Sequence, residues 1–224
     1  MLSVLFGEQP DVLKQILSFY LPKGAKILDV TYGHGKLYAS SGHVSFNDYI
    51  IVGNDVDPES PAKYHYSFPE IQKIAEIEGL FDAAIYDPPY KYDTPSYVFN
   101  TPREADLDWK PRKTKWTVNL QLEMARELNK SLPMVLKEEG LLICKIMDTR
   151  LKGKLIPNHM LLARCFSLFE LIDILVYIRT LIGLFKNNRH SQTAHGYYLI
   201  FRRKNTEEQS SLIRWSNPKG ARLA

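Results

Sequence analysis

The alternation of short apolar runs with segments of helical periodicity is the feature that most constrains the fold of this chain. Strands and helices that alternate in this way build a parallel sheet with helices on both faces. The last two predicted strands are adjacent, so the sequence predicts a doubly wound, mostly parallel α/β sheet with a mixed, antiparallel edge. Strands are predicted at 25–30, 49–53, 63–68, 81–86, 140–147, 170–180 and 196–204, and helices at 10–20, 69–78, 119–137 and 157–169.

The tetrapeptide Asp87-Pro88-Pro89-Tyr90 follows the apolar strand predicted at 81–86. Proline cannot donate to a sheet ladder and restricts the residue before it, so the strand ends here and the chain turns sharply. A carboxylate, free carbonyls and an aromatic ring are left at the carboxyl end of the strand, where open α/β sheets bind ligands. These groups suit a planar base that carries an amine, and the tetrapeptide is therefore the candidate catalytic segment.

A glycine-bearing loop follows the first predicted strand, and an acidic residue follows the second. A tight glycine turn allows backbone N–H groups to approach a ligand closely, and an acid at the end of the next strand can hydrogen-bond ribose hydroxyls. The acid at the end of the first strand, Asp29, would orient the loop or hold a ligand ammonium group. The candidate ligand-binding residues are Asp29, Thr31, Tyr32, Gly33, Gly35 and Asp55, with Asp57 in reserve for Asp55.

Taken together, these segments resemble the S-adenosylmethionine-dependent methyltransferases that modify exocyclic amines of nucleic-acid bases. The segment 29–35 is similar to the family's cofactor loop, and 87–90 to its catalytic motif. The segment 6–10 looks like its amino-terminal cofactor motif, and 195–202 resembles the last strand of DNA amino-methyltransferases. The resemblance covers residues 6–204 and implies a Rossmann-like fold with S-adenosylmethionine as the cofactor.

The resemblance also implies roles for single residues. Asp87 and a carbonyl near Pro88 would accept N–H bonds from the target amine, within a catalytic set of Asp87, Pro88, Pro89 and Tyr90. Tyr90 would stack on a flipped or single-stranded base, because a duplex buries the amine. Gln9 and Asp87 would add to the cofactor contacts.

The chain departs from the family's pattern in two respects. Members of the family more often carry Pro-Phe or a similar pair after the first acid, whereas this chain has Val30-Thr31-Tyr32, so the cofactor contacts would differ in detail. The chain also has no room for a large separate target-recognition region. Only the loop predicted at 91–118, the segment near 150–156 and the connection at 181–195 could contact a target. Recognition is then short and simple, or is shared with a partner or a second subunit, and a homodimer is one such arrangement.

Four basic residues lie between two tryptophans in the stretch 109–116, within the predicted loop. Such a stretch suits phosphates and bases, and its position just after the tetrapeptide favours contact with the substrate. The net charge of +4 is compatible with a polyanionic partner but does not require one. The candidate substrate-binding residues are Tyr90, Trp109, Lys110, Arg112, Lys113 and Lys115.

Length and composition predict one domain, residues 1–204, followed by a polar tail at 205–224. Cys144 and Cys165 lie in apolar surroundings and are expected to be buried reduced thiols, with no metal site. The first nine residues show no secretory signal, and charged residues interrupt the longest apolar stretch, which argues against a membrane span. A cytoplasmic protein is expected.

Three functions stay open on the sequence alone. The first is a DNA adenine amino-methyltransferase, because an acid at the first motif position is more typical of adenine enzymes in the family, and the strand ending at Arg202 favours DNA. The second is an RNA methyltransferase that acts on adenine or on the 2-amino group of guanine. The third is a non-catalytic scaffold that binds nucleic acid, although such relatives usually lose the tetrapeptide.

Overall fold

The computed structural model describes residues 2–39, 45–89, 92, 95–98, 112–178 and 195–205. Within this part of the chain there are eleven strands and four α-helices, and short 3₁₀ turns lie at Phe68–Glu70 and Leu132–Met134. The strands are β1 (Val4–Phe6), β2 (Lys26–Asp29), β3 (Ile50–Gly53), β4 (Phe81–Tyr86), β5 (Pro95–Val98), β6 (Arg112–Lys115), β7 (Leu136–Ile146), β8 (Thr149–Leu151), β9 (Lys154–Ile156), β10 (Phe169–Ile178) and β11 (His195–Arg203). The helices are α1 (Gln9–Tyr20), α2 (Gln72–Glu78), α3 (Val118–Ser131) and α4 (Asn158–Ala163).

Seven strands form one sheet in the order β1-β10-β11-β7-β4-β2-β3. Strand β11 runs antiparallel to both of its neighbours, and the other neighbouring pairs are parallel. The predicted α/β sheet with an antiparallel component is confirmed. From β2 the chain goes outward to β3 and then returns to form β4 on the other side of β2. Ligands of open α/β sheets bind at such a switch point, outside the carboxyl ends of the strands.

The two faces of the sheet bury separate apolar clusters. Side chains of a strand point alternately to opposite faces. In β4, Ala84 and Tyr86 pack with residues of α2, α3 and α4, whereas Ala83 and Ile85 pack with residues of α1. This alternation assigns each residue at the ends of β2, β4 and β7 to one face.

The strand predicted at 63–68 is wrong. The structure has only an isolated parallel bridge between Asn54 and Tyr64, followed by the 3₁₀ turn at Phe68–Glu70. The side chain of Asn54 replaces the ladder: its Nδ2 donates to the Tyr66 carbonyl at 3.0 Å, and its Oδ1 accepts from the Tyr66 N–H at 2.9 Å.

Two predicted helices are too long. The helix predicted at 119–137 ends at Ser131, and β7 begins at Leu136. Pro133 lies between them and cannot continue an α-helix, because it lacks an N–H group. The helix predicted at 157–169 contains only α4, after which the Leu168 N–H donates to the Asn129 side chain at 3.1 Å.

Three features were not predicted as strands. The segment predicted as a loop at 91–118 contains the antiparallel pair β5–β6, and β8–β9 forms a second hairpin. Strand β1 is three residues long and pairs with β10. These strands are short and lack a run of alternating apolar residues that would mark them. The connection at 181–194 and the tail beyond Asn205 lie outside the described residues.

Candidate functional site

The glycine loop and the tetrapeptide meet at Thr31, between the ends of β2 and β4. The Thr31 hydroxyl oxygen accepts a hydrogen bond from the Asp87 backbone N–H at 2.7 Å, and the Thr31 N–H donates to Asp29 Oδ1 at 2.9 Å. The Val30 N–H donates to the Ile85 carbonyl at 3.0 Å, which extends the pairing of the two strands. The sequence segments that carry the predicted cofactor and catalytic residues therefore lie side by side.

Asp29 is 1% exposed and its two carboxylate oxygens have separate donors. Oδ1 accepts from the Thr31 N–H, and Oδ2 accepts from the Tyr38 hydroxyl at 2.7 Å. Burial raises the pKa of Asp29 to about 7, although both hydrogen bonds lower it, and the nearby charges of Asp87 and Asp55 raise it further. The site thus places a carboxyl group that titrates near neutrality directly under the glycine loop.

The glycine loop rests on the end of β3. A Cβ atom on Gly53 would lie 2.7 Å from the Tyr32 ring, so only glycine permits this close contact. The Tyr32 N–H donates to the Asn54 carbonyl at 3.1 Å, and its ring stacks on Tyr38 with a centroid distance of 5.7 Å. Gly35 has φ = 70°, a conformation that favours glycine.

Asp55 holds the loop from the neighbouring strand end. Its Oδ2 accepts from the Gly33 N–H at 2.7 Å, and its Oδ1 accepts from the Asp57 N–H at 2.8 Å. Burial raises the pKa of Asp55, and these two hydrogen bonds oppose the shift. Since an ionised carboxylate has about four acceptor positions, Asp55 keeps acceptor capacity for a ligand hydroxyl. The reserve candidate, Asp57, accepts from the Glu59 N–H at 2.9 Å within its own turn.

Asp87 forms an ion pair with Lys145, which sequence reasoning missed. Lys145 Nζ lies 2.9 Å from both carboxylate oxygens of Asp87. The Lys145 side chain is 1% exposed, whereas the Asp87 side chain is 22% exposed and so is partly accessible to solvent. Burial raises the pKa of Asp87, and Lys145 opposes the shift. Of the two prolines, Pro88 is buried and Pro89 partly buried. A signal was available, because Lys145 interrupts the apolar strand predicted at 140–147.

Strand alternation places Lys145 on the face of the sheet that packs against α1. Tyr198 of β11 lies directly opposite Lys145 in the register, and its ring centroid is 5.5 Å from that of Tyr177 on β10. Gln9 Nε2 donates to the Tyr177 hydroxyl at 3.3 Å. Gln9 thus lies at the far end of a row of polar side chains that leads to Asp87, and its contact with a cofactor stays a prediction.

Buried hydrogen bonds anchor the chain on both sides of the predicted substrate loop. The Tyr92 hydroxyl lies 3.2 Å from Gln121 Oε1 and also hydrogen-bonds Asn158 Oδ1. Trp116, which is 4% exposed, donates from Nε1 to Gln121 Oε1 at 3.3 Å. Because Gln121 and Asn158 are fully buried, the entry and exit of this loop are fixed against α3 and α4.

The predicted substrate-binding residues are only partly described. Lys115 is exposed at the end of β6, where it pairs in register with Pro95. Arg112 and Lys113 belong to the same strand, and the structure describes only the backbone of these two residues. Tyr90, Trp109 and Lys110 lie outside the described residues, so their predicted roles stay predictions.

Cys144 and Cys165 are free and buried, which confirms the prediction of buried reduced thiols. Over the described ranges, no group of three or more His, Cys, Asp or Glu side chains is arranged to hold a metal ion. In the same ranges, no helix is both long enough and apolar enough to cross a membrane.

Comparison with known proteins identifies the fold. No family model matches the chain, and no curated protein matches its sequence. The structure of the N-methyltransferase NodS from Bradyrhizobium japonicum WM9 superposes with a TM-score of 0.50 at 10% identity, covering 88% of this chain and 94% of NodS. The chain therefore has the Rossmann-like fold of a methyltransferase.

Two further solved structures are similar at lower scores. TrmN from Thermus thermophilus has a TM-score of 0.49 at 11% identity, covering 87% of this chain and 49% of TrmN. The chain thus spans about half the length of TrmN. An rRNA methylase from Streptococcus thermophilus has a TM-score of 0.46 at 10% identity, covering 88% of this chain and 98% of the methylase.

Proposed function

We propose that the protein transfers a methyl group from S-adenosylmethionine to the exocyclic amino group of a nucleic-acid base, with adenine in DNA as the first candidate. The observation that carries the proposal is the position of Asp87. Its carboxylate stands at the switch point of a methyltransferase fold, is held by Lys145, and is joined through Thr31 to the glycine loop. The tetrapeptide that contains Asp87 resembles the catalytic motif of amino-methyltransferases.

The residues around the loop fit a cationic cofactor. Asp29 and Asp55 are carboxyl groups whose pKa values burial has raised, so a positive ligand would favour their ionised forms. The cofactor, when bound, supplies a methyl group on a sulfonium, whose carbon–sulfur bond breaks with its electron pair left on sulfur. The residues that would hold it are Asp29, Thr31, Tyr32, Gly33, Gly35 and Asp55, with further contacts from Gln9 and Asp87.

Asp87 acts on the amine. The lone pair of an aromatic amine is delocalised into the ring, so the amine is a poor nucleophile. Hydrogen bonds from its N–H groups to the Asp87 carboxylate and to a carbonyl near Pro88 localise that pair on nitrogen. The N–H proton leaves only as the new bond makes the nitrogen acidic, and the carboxylate of Asp87, whose side chain is partly exposed, can accept it. Holding the two reactants in line supplies much of the rate.

The substrate would be DNA rather than RNA, with the target base flipped or single-stranded, stacked on Tyr90 and flanked by the basic residues of the loop. A cytoplasmic location and a homodimer are part of the same proposal. A methyl-acceptor assay with DNA and RNA side by side, followed by mass spectrometry of the modified nucleoside, tests the substrate. Label found only in RNA would replace the first candidate by the second, an RNA adenine or guanine amino-methyltransferase.

Replacement of Asp87 by alanine tests the catalytic role. We expect Asp87→Ala to fold and to bind S-adenosylmethionine in calorimetry, but to lose methyl transfer by at least about 100-fold, the usual scale for a positioned acid or base. Asp48→Ala is the matched control, because Asp48 is an acid paired with lysines just before β3, at the other end of the parallel strands, and it should keep wild-type activity. Full activity of Asp87→Ala in a labelled-methyl assay would contradict the proposal.

A further inference from the structure

The β8–β9 hairpin carries three exposed cations at its tip, namely Arg150, Lys152 and Lys154. Its two turn residues, Lys152 and Gly153, have φ values of 50° and 80°, as in the two-residue turn that matches the twist of a hairpin. The Arg150 guanidinium also donates to the Gly153 carbonyl at 3.2 Å. The charges therefore sit on a defined turn.

The base of the hairpin is fixed to the domain. Asn158, which is fully buried, donates from Nδ2 to the Met147 carbonyl at 2.8 Å. Asp148 accepts from the His159 backbone N–H at 3.2 Å, and its Oδ1 lies 2.8 Å from His159 Nδ1. These contacts hold the chain on both sides of the hairpin, so its direction is set by α4 and the end of β7.

The hairpin follows the strand that carries the ion-pair partner of the candidate catalytic acid. Strand β8 begins at Thr149, four residues after Lys145, and Lys145 binds Asp87. Arg150 follows Lys145 by five residues, so the Cα atoms of the two residues are at most about 17 Å apart. A nucleic-acid strand with its target base at Asp87 would bring neighbouring phosphates within this distance, because successive phosphates of a stacked strand are about 3.4 Å apart along the axis.

The hairpin cations lack the carboxylate partners that many other lysines have. Among the described residues, none of the three forms an ion pair, and the hairpin itself contains no acid. Three like charges on one turn repel one another, and a polyanion relieves this repulsion when it binds. Lysines elsewhere that do pair with Asp or Glu include Lys14, Lys63, Lys73, Lys130 and Lys137.

We propose that the β8–β9 hairpin is a nucleic-acid-binding arm that contacts the phosphates next to the target base. The inference rests on the proposed function and adds to it a second contact surface, separate from the loop at 91–118. The ligand is recognised by its phosphate charge, so the hairpin would contribute affinity and position with little dependence on sequence.

The test is the salt dependence of binding for a variant with all three charges removed, Arg150→Gln with Lys152→Gln and Lys154→Gln. Binding of a fluorescent single-stranded oligonucleotide is measured by anisotropy between about 50 and 200 mM salt. Each phosphate contact on a single strand contributes about 0.7 to the slope of log K against log salt, so the slope should become shallower by about 2. Calorimetric binding of S-adenosylmethionine should not change.

The matched control removes three exposed cations at the other end of the strands, where β2 and β7 begin and the antiparallel β11 ends, Lys23→Gln with Lys137→Gln and Arg202→Gln, and its slope should equal that of the wild type. If the triple variant does not fold, the single variant Lys152→Glu at the exposed turn provides the test. It should bind the oligonucleotide more weakly than the wild type. If the wild type binds and methylates the oligonucleotide but the hairpin variants show the same salt slope as the wild type, the hairpin inference is overturned and the proposed function stands. Absence of wild-type binding to any oligonucleotide overturns both this inference and the proposed substrate.

Discussion

The ion pair between Asp87 and Lys145 joins two neighbouring strands at a point where Lys145 has almost no contact with water. Removal of two charges from water is costly, and a buried pair offsets this cost only with good geometry. Here Nζ contacts both carboxylate oxygens, which satisfies one side of Asp87 and leaves the other side able to accept a hydrogen bond. The pair therefore orients the carboxylate, and Lys145 opposes the rise in the pKa of Asp87 that burial causes.

Lys145→Met should lower the free energy of unfolding by about 3 kcal/mol, because breaking a buried pair leaves an uncompensated charge. Urea denaturation measures this loss, and the double variant with Asp87→Ala should lose less than the sum of the two single variants. Without Lys145 the pKa of Asp87 rises further, so the acidic limb of the pH–rate profile should move to higher pH. An equal loss of rate at every pH would show that Lys145 acts on structure only.

Asp29→Asn should flatten the dependence of stability on pH. The folded-state pKa of about 7 lies above the unfolded value of about 3.9, so the folded state holds an extra proton between these values. The stability from this proton is complete below about pH 4 and is lost as the pH rises through 7, at most about 4 kcal/mol in all. Urea denaturation at several pH values compares the two proteins, and equal slopes would contradict the raised pKa.

Residue types and spacing were sufficient to select Asp29 and Asp87, which both contact Thr31, and the pair Gly33 and Asp55, because all four lie at or after recognisable strand ends. Lys145 could not be assigned in the same way, because its partner depends on the register between β4 and β7. That register places Tyr86 opposite Cys144, and hence Asp87 beside Lys145. Pair contacts across a sheet are set by register, which local sequence does not state.

At the level of elements, the end of β3 is shaped to receive the glycine loop. Gly53→Ala should displace the Tyr32 ring, because the added Cβ would lie 2.7 Å from it. Overpacking of this kind costs about 1–3 kcal/mol of stability, and binding of S-adenosylmethionine should weaken by about 10-fold if the loop moves. Calorimetry and urea denaturation measure the two effects. Removal of the ring in the double variant Gly53→Ala with Tyr32→Ala should remove the clash, and a double variant no more stable than Gly53→Ala would contradict this cause.

The boundaries of helices and strands were predictable where the spacing of apolar residues sets them. The prediction failed where a single side-chain contact sets the structure. Apolar spacing located β2, β4, β7 and α1 to within a few residues. The strand predicted at 63–68 failed because the Asn54 amide takes the backbone bonds of Tyr66. The Asn54 side chain occupies hydrogen-bonding groups that a neighbouring strand would otherwise use. This is a tertiary contact, so no local sequence pattern predicts it.

On the scale of the whole molecule, the two apolar clusters share the strands β4, β7 and β11. Loss of either face removes support from the other, so we expect one cooperative thermal transition when unfolding is measured by circular dichroism.

S-Adenosylmethionine at 100 times its Kd should add about 2.7 kcal/mol to the free energy of unfolding and raise the Tm by about 5–10 °C. The analogue S-adenosylhomocysteine is a suitable comparison, and a Tm unaffected by either compound would contradict the proposed cofactor site. A Tm that rises with protein concentration would indicate a homodimer.

Because both cysteines are free and buried, the reactivity of their thiols depends on opening of the fold. Cys144 lies in the middle of the sheet with its pKa raised by burial, and Cys165, which is 6% exposed, belongs to the apolar cluster that contains Phe166. A thiol-modifying reagent can reach Cys144 only when the strands around it separate. The rate of its alkylation in native buffer would therefore report how often the domain opens, without any denaturant.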